Sequence, residues 1–245
     1  MNTAVVISLL IASVLAGGVV VSTMHRSKNE QLIKILLAFS GGFLLSIAFI
    51  HFIPELYEHS ELNIGLFILI GFLVQLILEF FSGGIEHGHV HIHKNAALPI
   101  GMIIALFIHS FIEGIPLGSQ LVGHEIATSH HHHHEDNSFL LGILFHKLPV
   151  AIALMTLLYA SDVAKRLSWI VLVIFALAAP IGVVLGIYAD DIVGHFDFDI
   201  ILAIVVGMFL HISTTIIFET SENHKFNFVK LLAILGGAAI AFFIH

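Results

Sequence analysis

Cysteine is missing from this 245-residue chain, proline occurs five times and tryptophan once, and charge is scarce. Without cysteine there is neither a disulfide framework nor a thiolate metal site. Charged residues make up 11% of the chain, whereas a soluble domain carries about 25%. Hydrophobic residues make up 58%. A domain of this size cannot hide that much apolar surface, so lipid must be the solvent for most of it. Nine Lys and Arg against seventeen acids, a net charge of -8, leave no phosphate-binding face and exclude nucleic acid as a partner. Basic residues are absent from Met1 to Val6 and follow the first apolar run as Arg26 and Lys28. A cleaved signal peptide has the opposite order, so the first segment is expected to be a retained helix.

What the chain does have is long apolar runs and nineteen histidines. A membrane-spanning helix needs about 20 apolar residues. Eight stretches qualify: Thr3–Met24, Ile35–Pro54, Leu62–Phe81, Ala97–Leu121, Phe139–Tyr159, Leu167–Ala189, Ile200–Phe218 and Phe228–Ile244. The fold class is therefore an all-α integral membrane protein, eight transmembrane helices in a single bundle, with residues 1–245 forming one transmembrane domain. Basic residues set the orientation. Arg26, Lys28, Lys34, Lys94, Lys165, Arg166, Lys225 and Lys230 lie in or beside the odd loops. Acids such as Glu55, Glu58, Glu125, Asp136, Asp190 and Asp197 mark the even ones. Odd loops are expected to be cytoplasmic and both termini outside. A His-rich loop over about 82–96 then falls inside, and a second over about 123–137 outside.

Ionisable groups within a membrane helix are costly and nominate a site. The fourth helix carries His109 and Glu113 in FIHSFIEGIPLG, four residues apart and so on one helical face. The fifth carries His146 and Lys147 in FHKLPVAIAL. At about 1.5 Å per residue, Glu113 and His146 fall roughly 12 and 10 Å from the outer ends of their helices. Pro116 and Pro149 each free a carbonyl within a turn of these groups. Gly114 and Gly118 offer a face for close helix approach. A lone membrane histidine is more often a hydrogen-bonded core residue than a ligand. Two His and a Glu beside two kinks reverse that reading, and this donor set suits zinc or another first-row divalent ion.

Beyond this trio, His211, Thr215 and Glu219 recur every four residues in the seventh helix. They read equally as an exit path for metal or as a polar seam between helices. His51 and Glu55 share a face of the second helix and are candidates for an outer vestibule. Gln75 and Glu79 read as a structural pair near the cytoplasmic boundary. The tracts His87, His89, His91, His93 and His130 to His134 bind metal weakly by composition, for collection or sensing rather than as an ordered site.

With those residues in place, the chain resembles the ZIP family of divalent-metal transporters along nearly its whole length. His109-Ser110-Phe111-Ile112-Glu113-Gly114 looks like the family's fourth-helix HNxPEG motif. His146-Lys147-Leu148-Pro149-Val150 resembles its fifth-helix motif. Phe39-Ser40-Gly41-Gly42-Phe43-Leu44-Leu45, ending in His51-Phe52-Ile53-Pro54-Glu55, looks like its second helix. Members with a two-metal centre have Asn, an acid or amide, Glu and Glu where this chain has Ser110, Lys147, Val150 and Ala179. The pattern is similar to the His-Lys-x-Pro subgroup and implies one transported metal. Lys147 is expected to be a site cation, with Glu113 the nearest anion by depth, and Ser110 is a further site candidate.

The resemblance implies transport of Zn2+ as substrate, with Fe2+, Mn2+ or Cd2+ as alternatives, by alternating access in a homodimer. Short loops and the lack of N-x-S/T sequons suit a bacterial inner membrane. An intramembrane zinc hydrolase is the rival class, and it would need H-E-x-x-H on a helix. The nearest run, His124-Glu125-Ile126-Ala127-Thr128, has Thr at the second ligand position, so no enzyme is expected. A passive channel, or a metal sensor without transport, stays open from the residues alone.

Overall fold

The computed structural model describes residues 2–23, 26–60, 62–82, 100–122, 138–161, 163–193, 197–219 and 228–244. Among these the chain is helical. Helix α1 is Thr3–Thr23, and α2 runs through Arg26–Ile47, a π-helical turn Ala48–Phe52 and a last segment Ile53–His59. Then follow α3 (Ile64–Ser82), α4 (Ile100–Leu121), α5 (Ser138–Ala160), α6 (Lys165–Ile187), α7 (Phe198–Glu219) and α8 (Phe228–Phe243). Each predicted span coincides with one of these helices. Seven have the length and composition to cross a membrane. Helix α8, at 16 residues, is shorter. Both His-rich tracts lie outside the described residues, as does the His124–Thr128 run.

Three details depart from the sequence expectation. Helix α2 starts at Arg26, so Arg26 and Lys28 belong to a helix rather than a loop. A five-residue helix, Ala189–Val193, follows α6. The third departure is the π-helical turn, and its cause is Pro54. Proline has no N–H to give to the carbonyl four residues back, so the turn before it widens. The Ile53 N–H bonds to the Ala48 carbonyl, five residues earlier.

The outer face of the bundle is apolar. Leu66, Leu73, Ile77 and Phe80 on α3, and Phe242 and Phe243 on α8, are all exposed. Buried polar groups such as Gln75, His109, Glu113, His146 and Lys147 point the other way. Apolar outside with polar inside is what a hydrocarbon solvent selects.

Glycines join the helices in close pairs, which we group into two sets. In the first, α4 packs on α6, and α1 on both α5 and α6. A Cβ on Gly114 or Gly118 of α4 would lie 2.2 or 2.0 Å from the carbonyl oxygens of Ala179 and Val183 on α6. A Cβ on Gly182 or Gly186 of α6 would likewise lie 2.0 Å from the carbonyl oxygens of Phe111 and Ile115. The second set repeats the device. Gly42 and Gly237 join α2 to α8, and Gly71 and Gly207 join α3 to α7, all against backbone carbonyls. Between the sets, α5 meets α2 through side chains: Phe145 lies edge-on to Phe39 and Phe43, with centroids 5.5 and 5.1 Å apart.

Gly118→Ala is expected to force α4 and α6 apart, at a cost of about 1–3 kcal/mol. Gly236 has nothing within 4 Å of a built Cβ, so Gly236→Ala should be silent. Thermal unfolding of the two purified variants checks the contrast.

Candidate metal centre

The two proline-containing helices α4 and α5 carry the site. Pro116 sits within α4 and Pro149 within α5, each three residues beyond a polar group, Glu113 and His146. Because α4 is held to α6 by glycine, Glu113 lies deep in the bundle and is 0% exposed. His109 and His146 are 2% and 1% exposed.

Ligand atoms of His109, Glu113 and His146 all lie within 4.8 Å of one another. His109 Nε2 is 2.8 Å from Glu113 Oε1, and the two imidazole rings meet edge-on at 5.9 Å between centroids. Around a tetrahedral zinc, with bonds of about 2.0–2.1 Å, neighbouring donors stand about 3.3 Å apart. Small side-chain rotations therefore bring all three onto one ion. The remaining position is left for water or another side chain.

Two further groups fix the trio. Lys147 Nζ donates to Glu113 Oε2 at 2.8 Å and to Ser110 Oγ at 2.6 Å, and lies 5.6 Å from the centre of the Phe175 ring on α6. The lysine is 2% exposed and does not reach toward a helix end. With Oε2 held by the ammonium, Oε1 is the carboxylate oxygen turned toward His109. On the other side of the site, His109 Nδ1 donates to Gln75 Oε1 of α3 at 2.9 Å. A histidine whose Nδ1 carries the hydrogen presents the lone pair of Nε2, the form a metal needs.

Gln75 and Glu79, expected as a pair, each also reach a different helix. Gln75 reaches α4, while Glu79 is joined to His211 Nε2 of α7. The cause is α3 itself, which buries a narrow stripe that includes Gly71, Gln75 and Leu78. The Gly71 contact draws α7 close enough for the pair.

The other sequence candidates stand apart from the trio. His211 packs edge-on to Phe72 at 4.7 Å, and the Thr215 hydroxyl donates to the His211 carbonyl at 2.9 Å. Glu219 ends α7. His51 falls in the π-helical turn, with Glu55 just past it. Among the described side chains, which do not include that of Glu219, none of these joins the cluster of three. Two contributors were missed in the sequence. Gln75 carried a signal, an amide in an apolar helix, but its partner was not visible. Phe175 carried none, being one apolar residue among many.

Two imidazoles and a carboxylate buried within reach of one ion are the donor set of a membrane metal-binding protein. The sequence model of the family described as ZIP zinc transporter matches residues 2–99 and 85–245, and the chain belongs to that family. Its members are transporters, not enzymes. Protein zntD of Dictyostelium discoideum is 30% identical over 188 residues, covering 68% of this chain and 26% of zntD. Zinc transporter ZIP1 of Plasmodium falciparum is 24% identical over 298 residues, covering 89% of this chain and 80% of that protein. Zinc transporter SLC39A7 of Rattus norvegicus is 35% identical over 88 residues, 28% of this chain and 19% of its own. The chain therefore spans only a fraction of zntD and SLC39A7.

Proposed function

We propose that this protein carries a divalent metal ion, zinc before iron, manganese or cadmium, across a membrane through His109, Glu113 and His146. The observation that carries the reading is the convergence of three ligand atoms within 4.8 Å in a buried interior. Relatives named as zinc transporters support zinc as cargo. Imidazole nitrogen with a single carboxylate is also a donor set that suits zinc better than calcium or magnesium. Lys147 takes the space where a second ion would need negative ligands, so the site holds one metal.

Alternating access follows from the two helix sets. Glycines lock α4 to α6, α2 to α8 and α3 to α7 backbone to backbone, whereas the α2–α5 seam is made of side-chain surfaces. Displacement of α1, α4, α5 and α6 against α2, α3, α7 and α8 would carry the site from one face to the other. Basic residues at the odd loops put those loops in the cytoplasm and both termini outside. His51 and Glu55 then line an outer vestibule, and His211 with Glu219 an inner exit. We further assign a homodimer in a bacterial inner membrane, from the family resemblance and the short loops, although the relatives named above are eukaryotic.

Uptake into proteoliposomes, with zinc competing against iron, manganese and cadmium, tests this function. Saturable zinc uptake is expected, and its absence from protein that binds zinc would leave a receptor instead. Deleting His130–His134, or replacing His87, His89, His91 and His93 by Ser, is expected to shift apparent affinity a fewfold without stopping turnover. Complete loss of uptake in well-expressed loop variants would show those tracts to be part of the path.

A further inference from the structure

Gln75 is 0% exposed on a helix whose other side chains mostly face lipid. An amide at that depth is costly unless it is hydrogen-bonded. Its bond goes to the His109 ring on the nitrogen opposite the one that faces Glu113. That single contact does two things to the ring. It sets the tautomer, with hydrogen on Nδ1, and it fixes the rotation that aims Nε2 at the Glu113 carboxylate.

The contact also crosses the division between the helix sets. His109 stands on α4, which is locked to α6 through Gly114, Gly118, Gly182 and Gly186. Gln75 stands on α3, which is locked to α7 through Gly71 and Gly207. Where α4 meets α3 the approach is looser: a Cβ on Gly101 would lie 3.7 Å from the Phe81 carbonyl oxygen. By contrast, Lys147 on α5 reaches Ser110 and Glu113 on α4 within one set. The two partners of the ligand trio therefore differ. Lys147 would travel with the site, and Gln75 would stay behind.

We propose that Gln75 is a positioning residue for the metal site that engages His109 only in the register of α3 and α4 seen here, tying ligand geometry to one conformational state. The inference rests on the transport reading above. When α4 moves past α3 by even half a helical turn, about 2.7 Å, a 2.9 Å bond is lost. The ring then loses the contact that orients it, and the ion is held less tightly. Capture and release are thereby separated by the position of one amide.

The experiment uses the full chain in nanodiscs for zinc titration by calorimetry and for cobalt(II) absorption, and in liposomes for uptake. Gln75→Leu removes the acceptor at similar volume. It is expected to weaken zinc binding about tenfold to a hundredfold, alter the cobalt spectrum, and raise KM with little change in kcat. Gln75→Glu keeps an acceptor and strengthens the bond. It is expected to bind as tightly as the parent while kcat falls at least fivefold, because the bond must break in each cycle. Parental affinity, KM and kcat in folded Gln75→Leu would overturn the proposal. So would a parental kcat in Gln75→Glu, which covers the case in which Gln75→Leu does not fold. Glu113→Gln serves as the reference. If it retains zinc binding, the metal site itself is misassigned; if it loses binding while both Gln75 variants behave as the parent, only the positioning role fails.

Discussion

Glu113→Ala is expected to abolish metal uptake, and it should also lower the yield of folded protein. Both effects come from one geometry. Oε1 is the anionic ligand of the trio, 2.8 Å from His109 Nε2, and Oε2 holds the Lys147 ammonium at 2.8 Å. Removing the carboxylate takes a charge from the metal site and leaves a buried cation without its partner. Breaking a buried pair in this way costs about 3–5 kcal/mol. The two consequences can be separated. Glu113→Gln keeps an oxygen and the side-chain volume, and a double change of Glu113→Gln with Lys147→Gln removes the unpaired charge as well. Both should give more folded protein than Glu113→Ala by size-exclusion chromatography, and neither should transport. His109→Ala and His146→Ala take away one nitrogen ligand each and leave the Lys147 pair intact, so they are expected to lose uptake with a higher folded yield than Glu113→Ala. Zinc uptake at the parental rate in folded Glu113→Gln would remove the carboxylate from the site.

The contrast between these variants follows from what the sequence could and could not reveal. Eight helices were legible because a hydrocarbon solvent demands about 20 apolar residues per crossing, which leaves a mark in any window of that length. His109, Glu113 and His146 were legible for the same reason, as ionisable groups where lipid tolerates few. Partnership was not legible. Nothing in the order of residues says that α3 lies beside α4 at the level where Gln75 meets His109, or that Glu79 faces His211. Those contacts depend on which glycine faces which carbonyl. Gly71 and Gly207 determine that α3 pairs with α7, yet each is an ordinary small residue in its own helix. The π-helical turn before Pro54 was likewise invisible, since proline signals a disturbance without stating how the backbone absorbs it.

Lys147 is the residue whose replacement should change the character of the site rather than destroy it. Its ammonium bridges Ser110 and Glu113 of α4 and lies near the Phe175 ring of α6. A divalent ion about 5 Å away would be repelled by about 7 kcal/mol at an effective dielectric of about 20, before the attraction of both to Glu113 is counted. Two opposing effects follow from Lys147→Ala. The ion should bind at least tenfold more tightly, because the repulsion is gone and Oε2 becomes available to it. Release should slow for the same reason, so kcat falls while KM falls with it. Stoichiometry should remain at one, since Ser110, Val150 and Ala179 supply no carboxylate for a second ion. Lys147→Glu goes further. It places a second carboxylate beside Glu113 and the Ser110 hydroxyl, and there a second zinc is expected at raised metal concentration. Calorimetry gives both the affinity and the count, and liposome uptake gives kcat and KM. One ion bound with parental affinity in Lys147→Ala and in Lys147→Glu alike would show that the lysine is a structural cation, outside the control of the metal.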